Sequence, residues 1–161
     1  MYIRKLKAGD MHEKCILKSR KGCSTKISGE HYISHKLLNV IEKENKTIDV
    51  AGLSWMPKDR IQSIGKSNLV SNILCTTHNS ALSDLDSSIG DFVSFISEID
   101  KNLRSSSPIN NSYKINGRDI EQWILKTIIG LIESGNIKQK NGEHYRYKSQ
   151  CINYLCEPKK R

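Results

Sequence analysis

The clearest pattern in the chain is a run of apolar residues at helical spacing near its middle. These residues recur three or four positions apart, at Leu82, Leu85, Ile89, Phe92, Val93, Ile96 and Ile99. The period places them on one face, so it predicts an amphipathic helix from about Ser83 to Leu103. Ser80 or Ser83 is the candidate N-cap, because a hydroxyl can accept a hydrogen bond from a free amide of the first turn.

A second segment repeats this spacing towards the C-terminal end. One face holds Ile120, Trp123, Ile124, Thr127, Ile128, Leu131 and Ile132. Gly135 and Asn136 follow, and residues of these types favour the conformation that ends a helix. Trp123 is predicted to be a core residue because it lies on the apolar face. The alternative for Trp123, and for Trp55, is a stacking platform for nucleic-acid bases.

The remaining segments carry shorter patterns. Residues 30–40 alternate apolar and polar positions, which predicts a brief strand. Residues 41–67 are polar and predict an insertion or long loop, with a short element near Leu53–Trp55. Short strands beside two helices predict an α+β fold class.

The chain is expected to divide into four parts. These are a basic N-terminal arm at 1–14, a core at 15–103 that includes the 41–67 insertion, a linker at 104–117, and a C-terminal helix with a basic tail at 118–161. The linker is indicated by its content of Ser, Asn, Gly and Pro. A length of 161 residues suits one domain with a small appendage.

The charge of the chain favours a polyanionic partner. Twenty-six Lys and Arg residues face 17 Asp and Glu residues, which gives a net charge of +9. Contacts between basic side chains and phosphates release condensed counterions, so nucleic acid is the expected partner. Charge alone does not separate this interpretation from a basic surface that serves only solubility.

The first residues, MYIRKLKAGD, carry charges with no apolar run behind them, so no signal peptide is expected. No stretch approaches the roughly 18 apolar residues that span a bilayer. We therefore predict a cytoplasmic protein without a membrane partner. In a reducing compartment, clustered cysteines are more often metal ligands than disulfides.

Four candidate zinc ligands form two pairs, of which the second has the usual ligand spacing and the first is wider. Cys15 and Cys23 flank one loop, and Cys75 and His78 are separated by two residues. A Cys-x2-His turn, here called the knuckle, can direct two side chains at one tetrahedral ion. The sequence therefore predicts one structural Zn²⁺ held by these four residues. The alternative is that the cysteines are buried as small apolar side chains.

Between the two pairs lies Glu30-His31, a carboxylate next to an imidazole. The carboxylate can hold a divalent cation while the imidazole takes a proton from water. A Glu-His dipeptide is common in proteins, so its position between two candidate zinc pairs is what makes it a candidate catalytic site.

The order of these motifs resembles the HNH endonucleases of the ββα-metal type. The segments that carry the resemblance are Cys15, Cys23, GEHYIS at 29–34 and LCTTHNSALSDLD at 74–86. The resemblance covers about residues 15–100. It implies a small zinc-stapled ββα-metal core with flanking helices, and a nuclease that uses Mg²⁺ or Mn²⁺ in addition to structural Zn²⁺.

The resemblance also implies a role for each matching residue. His31 takes the place of the general base, and Glu30 and Asn79 take the places of the catalytic metal ligands. His78 replaces the second cysteine of the knuckle. Asn72 is the candidate residue that orients the base. Asn68 is the alternative for this role, since Val70 stands where the family usually has the orienting residue.

Three alternatives remain open at this stage. His78 could bind the catalytic ion, in which case the fourth zinc ligand would be His12, His35 or Cys151. Asp86 could reach the catalytic ion, although on a helix starting near Ser83 it is expected to be a solvated acid. Cys151-x4-Cys156 could form a second half-site with His144, although unpaired reduced cysteines are the favoured interpretation.

The function predicted by these residues is hydrolysis of phosphodiester bonds in nucleic acid, with DNA favoured over RNA. The resemblance implies a bacterial defence or mobile-element effector, with an activating protein partner as an option. The rival hypothesis is a non-catalytic zinc-binding module that docks nucleic acid or a protein partner. Only the nuclease hypothesis gives Glu30-His31 a role beside the knuckle.

Overall fold

The computed structural model describes residues 12–105, 112 and 114–157. Within them the chain forms small antiparallel sheets and four helices, which confirms the α+β expectation. The strands are β1 (Ile27–His31), β2 (Thr47–Ala51), β3 (Ile61–Gly65) and β4 (Val70–Cys75). The helices are α1 (His35–Ile41), α2 (Thr76–Ser105), α3 (Gly117–Glu133) and α4 (Ser149–Leu155), and a 3-10 turn at Lys66–Leu69 precedes β4.

Parts of three predicted segments lie outside the described residues. They are residues 1–11 of the basic arm, residues 106–111 and 113 of the linker, and residues 158–161 of the tail. In the part of the chain that is described, no helix combines the length and the apolar content needed to cross a membrane.

The centre of the molecule is a pair of antiparallel strands, β1 and β4, that leads directly into α2. Ile27 pairs with Cys75 at one end of this strand pair, and His31 pairs with Val70 at the other. Glu30 and His31 therefore lie at the opposite end of the strand pair from Cys75. The two strands come from distant parts of the sequence, because everything between residues 31 and 70 is inserted between them.

The helix predicted over residues 83–103 is present, but α2 begins at Thr76, immediately after β4. The pattern missed the first two turns because the first inward-facing residue is a histidine rather than an apolar residue. The buried positions of α2 are His78, Leu82, Leu85, Ile89 and Gly90. The expectation of a cap at Ser80 or Ser83 is wrong, and the Ser83 hydroxyl instead donates to the Ser80 carbonyl inside the helix.

The brief strand predicted over residues 30–40 is wrong beyond its first residues, since β1 ends at His31 and α1 begins at His35. α1 buries only Leu38. Ser34 precedes the helix, and its hydroxyl donates to the backbone carbonyl of Asp86 at 3.1 Å, which fixes the start of α1 against α2. In so short a run, strand and helix spacings overlap, so tertiary contacts decide the outcome.

The long loop predicted for residues 41–67 is also wrong in part, because β2 and β3 form an antiparallel pair. This pair shares a small hydrophobic cluster with α1 and the 3-10 turn, made of Tyr32, Leu38, Ile48, Ile64 and Leu69. Trp55 is in the segment that connects β2 to β3, and it is half-exposed. Its indole N–H donates to the Asn136 side chain at 2.7 Å, so the inserted hairpin is tied to the turn after α3.

The second predicted helix is confirmed as α3, and Trp123 is confirmed as a core residue with 8% of its surface exposed. α3 packs against α2 and also against α4, a short helix that the tail pattern did not predict. The main core therefore joins the cysteine-containing loop, β4 and three helices. Its members include Leu17, Leu74, Leu85, Trp123, Ile129 and Leu155.

Candidate metal centre and the adjoining cleft

The four predicted zinc ligands come together in one buried cluster. The donor atoms of Cys15, Cys23, Cys75 and His78 all lie within 4.8 Å of one another. The Nδ1 atom of His78 is 3.3 Å from the sulfur of Cys15 and 3.3 Å from the sulfur of Cys75. The prediction that these four side chains converge is therefore confirmed.

Local structure explains how residues so distant in sequence meet. The loop from Cys15 to Cys23 is anchored to β4, because the Ile16 amide donates to the Ile73 carbonyl at 2.9 Å. Gly22, with a φ of 90°, turns the loop back so that Cys23 joins the cluster. Cys75 ends β4, and the first turn of α2 brings His78 to the same side.

The donor set fits a zinc ion. Three thiolates and one imidazole form a common set of structural zinc ligands. Tetrahedral bonds of about 2.3 Å to sulfur and about 2.0–2.1 Å to nitrogen place those two atoms roughly 3.5 Å apart. The observed sulfur–nitrogen separations of 3.3 Å are close to this value. The cluster could therefore hold a metal ion such as zinc.

The surroundings of the cluster shift the pKa values of two of its thiols in opposite directions. Burial raises the pKa of the Cys15 thiol to about 11. Burial acts in the same direction on Cys75, but hydrogen bonds, first among them those from the backbone amides of Ser24 and His78, together outweigh it and lower its pKa to about 6. These amides donate to the Cys75 sulfur at 3.3 and 3.4 Å. Such donors stabilise a thiolate, the form that binds a metal.

The alternative ligands considered from the sequence are not part of this cluster. His12 accepts a hydrogen bond from the Lys14 amide, and His35 lies in the cleft described below. Cys151 and Cys156 are half-buried and pack against the main core. The only group of three or more metal-binding side chains found among the described residues is the Cys15–Cys23–Cys75–His78 cluster.

At the other end of the β1–β4 strand pair is an open cleft with a volume of about 360 Å³. Glu30 and His31 from β1 and Asn79 from α2 line it together with His35 and Asp86. Three of the four residues predicted for the catalytic site therefore line one cleft. A separate cavity of about 470 Å³ is lined by His78 of the cysteine cluster and by none of these three residues.

His31 has the environment of a neutral imidazole. Burial lowers its pKa, the nearby His35 and Lys66 lower it further, and the Leu69 backbone raises it in part. The centres of the His31 and His35 rings are 5.4 Å apart. Within the described structure, Nδ1 of His31 is buried and has no hydrogen-bond partner. An imidazole that stays neutral can accept a proton.

Glu30 is buried and forms an ion pair with the ammonium group of Lys126 on α3. The same ammonium lies 2.6 Å from the Oδ2 atom of Asp86 on α2. Burial raises the pKa of the Glu30 carboxyl, while Lys126 and the Asn79 side chain lower it in part. The expectation that Asp86 is only a solvated acid is therefore wrong, because Asp86 pairs with the buried ammonium of Lys126.

Asn79 lies beside Glu30 in the first turns of α2. Its side-chain amide donates to the Ser28 hydroxyl at 2.6 Å, which leaves its carbonyl oxygen as the atom available to a cation. Asn72, the candidate orienting residue, is exposed on β4 and does not line the cleft. Asn68, in the 3-10 turn, is also exposed and does not line it.

Sequence reasoning missed Lys126, although a signal was present. Lys126 falls three positions after Trp123 and three before Ile129, so it occupies the buried face of α3. A lysine at such a position is rare unless an acidic side chain pairs with it. The pattern could have flagged Lys126, but it could not have identified Glu30 and Asp86 as its partners.

Comparison with protein-family models, with curated proteins and with solved structures finds no significant match to this chain.

Proposed function

We propose that this chain is a metal-dependent endonuclease that hydrolyses phosphodiester bonds in nucleic acid, with a ββα-metal core of the HNH type. The observation that carries the proposal is the meeting of Glu30, His31 and Asn79 in one open cleft beside the cysteine cluster. The antiparallel pair β1–β4 followed directly by α2 supports it as well.

In the proposed reaction, His31 is the general base. Its neutral imidazole takes a proton from a water molecule, whose oxygen attacks the phosphorus atom while the bond to the leaving oxygen breaks. Burial keeps the pKa of His31 below its ordinary value, which favours this role. His35 and Lys36 also line the cleft, and Lys36 would carry positive charge towards the phosphate backbone.

The donor atoms in the cleft fit a hard divalent cation. Glu30 pairs with Lys126 through its Oε1 atom, so its Oε2 atom and the carbonyl oxygen of Asn79 would be the two protein ligands. Mg²⁺ commonly takes one or two protein oxygens and completes its shell with water and phosphate. Mg²⁺ or Mn²⁺ held there would offset negative charge at the scissile phosphate.

The substrate we propose is DNA, bound through its backbone without sequence reading. The net charge of +9 supports contacts to phosphates. A role as a bacterial defence or mobile-element effector belongs to the same proposal. So does a cytoplasmic location, since a reducing compartment keeps the three thiols available to zinc.

The test is incubation of the purified chain with supercoiled plasmid and with single-stranded RNA, in Mg²⁺ or Mn²⁺. We expect metal-dependent nicking of the plasmid that EDTA abolishes and that His31→Ala lacks. Cleavage of RNA alone would change the substrate class. A parent protein that cuts neither substrate would exclude the chain as an endonuclease on its own.

A second candidate function is a zinc-binding module that docks nucleic acid or a protein without cutting it. The ion pair of Glu30 with Lys126 favours this candidate, because it already satisfies much of the charge of that carboxylate. Under it, DNA affinity falls steeply as salt is added, while the bound DNA stays intact in Mn²⁺. A gel-shift assay with and without Mn²⁺ distinguishes the two functions.

A further inference from the structure

Lys126 is a buried cation in direct contact with the proposed active site. Only 4% of its side chain is exposed, although lysine is seldom buried without a partner. Its ammonium reaches Glu30 on β1 and Asp86 on α2, so one group on α3 links three elements. None of the predicted catalytic roles uses Lys126.

The two carboxylates are each held through one oxygen. Glu30 is 6% exposed and offers Oε1 to Lys126, and Asp86 offers Oδ2 at 2.6 Å. The Oδ1 atom of Asp86 is buried, and the described residues provide no hydrogen-bond partner for it. Both residues line the cleft with His31 and Asn79. One oxygen of each carboxylate is thus held by the same ammonium, and both residues belong to the lining of one cleft.

From this geometry we infer that Lys126 is a positioning residue of the nuclease site: it holds Glu30 and Asp86 in the orientation that divalent-metal binding requires. The inference rests on the proposed function and extends it to α3. Groups that orient metal-binding carboxylates usually affect metal affinity or activity by roughly 10–100-fold. The C-terminal segment is therefore part of the site rather than an appendage to the core.

The test compares four variants of the full chain, each loaded with zinc. Lys126→Met removes the ammonium but keeps an unbranched side chain of nearly the same length. Asp86→Asn alone and Asp86→Asn with Lys126→Met form a matched pair, and the double variant removes one charge of each sign, which limits unfolding from unbalanced buried charge. Lys101→Met, at an exposed position of α2, is the control.

Two quantities are measured below the melting temperature: Mn²⁺ affinity by electron paramagnetic resonance, and the Mn²⁺ concentration that gives half-maximal plasmid cleavage. We expect Lys126→Met to weaken both by roughly 10–100-fold at unchanged zinc content. The double variant should be weaker than Asp86→Asn alone by a similar factor, and Lys101→Met should match the parent.

Folded, zinc-loaded Lys126 variants with parental Mn²⁺ affinity and cleavage would overturn the inference and leave Lys126 a purely structural residue. Failure of both Lys126 variants to fold would overturn it too, because Lys126 would then serve the fold rather than the site. A parent protein that neither binds Mn²⁺ in the cleft nor cuts DNA would instead refute the proposed function, and the inference with it.

Discussion

The cysteine cluster and the cleft adjoin the same strand pair, and they differ in exposure and in the kind of donor atom they offer. The cluster is closed: its cysteines are at most 2% exposed and His78 is 6% exposed. The cleft is open, and its His35 side chain faces solvent. Structural zinc sites fill all four positions with protein ligands, whereas catalytic metal sites leave positions for water and substrate. Stability and chemistry should therefore respond to different mutations.

The largest effect is expected for Cys75→Ser, which removes a central donor of the cluster. Zinc binding contributes directly to folding free energy, so this variant should lose its zinc and its cooperative unfolding transition. Elemental analysis and circular dichroism measure the two properties. Cys151→Ser, at a half-buried position outside the cluster, should keep about one zinc per chain. A Cys75→Ser protein that folds normally without zinc would show that the cluster is not a metal site.

His31→Ala should affect catalysis in the cleft without affecting the stability that the cluster provides. It removes the proton acceptor of the cleft and leaves the cluster untouched, so cleavage should fall by roughly 10²–10⁴-fold. Zinc content and melting temperature should match those of the parent. His144→Ala, at an exposed position outside the cleft, is the matched control. Parental cleavage rates in His31→Ala would refute the assigned base.

A smaller effect is expected for Asn79→Ala, which removes one oxygen ligand but keeps the base. Cleavage at limiting Mn²⁺ should fall by roughly 10–100-fold. Excess Mn²⁺ should restore part of the activity, because the remaining ligands still bind the ion weakly. His31→Ala should not respond to added Mn²⁺, since it lacks proton transfer. Equal rescue of both variants would mean that the two residues do not have separate roles.

The smallest effect concerns the pH dependence of cleavage. The pKa of His31 is lowered by burial, so its imidazole remains deprotonated to a lower pH than an exposed histidine. A base acts in its deprotonated form, so the rising limb of the pH–rate profile should have its midpoint below about 6.5. Single-turnover cleavage between about pH 5 and pH 8 measures it. A midpoint above 6.5 would point to another base.

The sequence was more informative about the cluster than about the cleft. The ligand spacing around Cys75 and His78 is set by one tight turn, so local sequence was enough to predict that part of the cluster. The presence of α3 and the burial of Trp123 followed from helical periodicity for a similar reason. The predicted apolar face was wrong at Ile124 and Ile128, which are exposed. Both predictions concern contacts between close neighbours or one face of a single element.

The errors arose where tertiary contacts override local pattern. α1 was predicted to be a strand because its run is too short to distinguish two periods, and its Ser34 contact to Asp86 comes from a distant helix. The start of α2 was missed because His78 belongs to the buried face. The Lys126 ion pairs join three elements. The positions of Glu30 and Asp86 in the sequence do not indicate that either residue pairs with Lys126.

The separation in sequence of the paired elements has a consequence for how the chain folds. Cys15 and His78 are 63 residues apart, and Ser24 and Cys75 are 51 apart, so completing the cluster closes long loops at a high entropic cost. The β2–β3 hairpin and the α2 helix involve near neighbours and can form early. Because chains rich in distant contacts fold slowly, β1–β4 pairing should be the late, rate-limiting event. If Cys75 and His78, which are close in sequence, bind zinc first, the bound ion can then recruit Cys15 and Cys23. The refolding rate should therefore rise with zinc concentration.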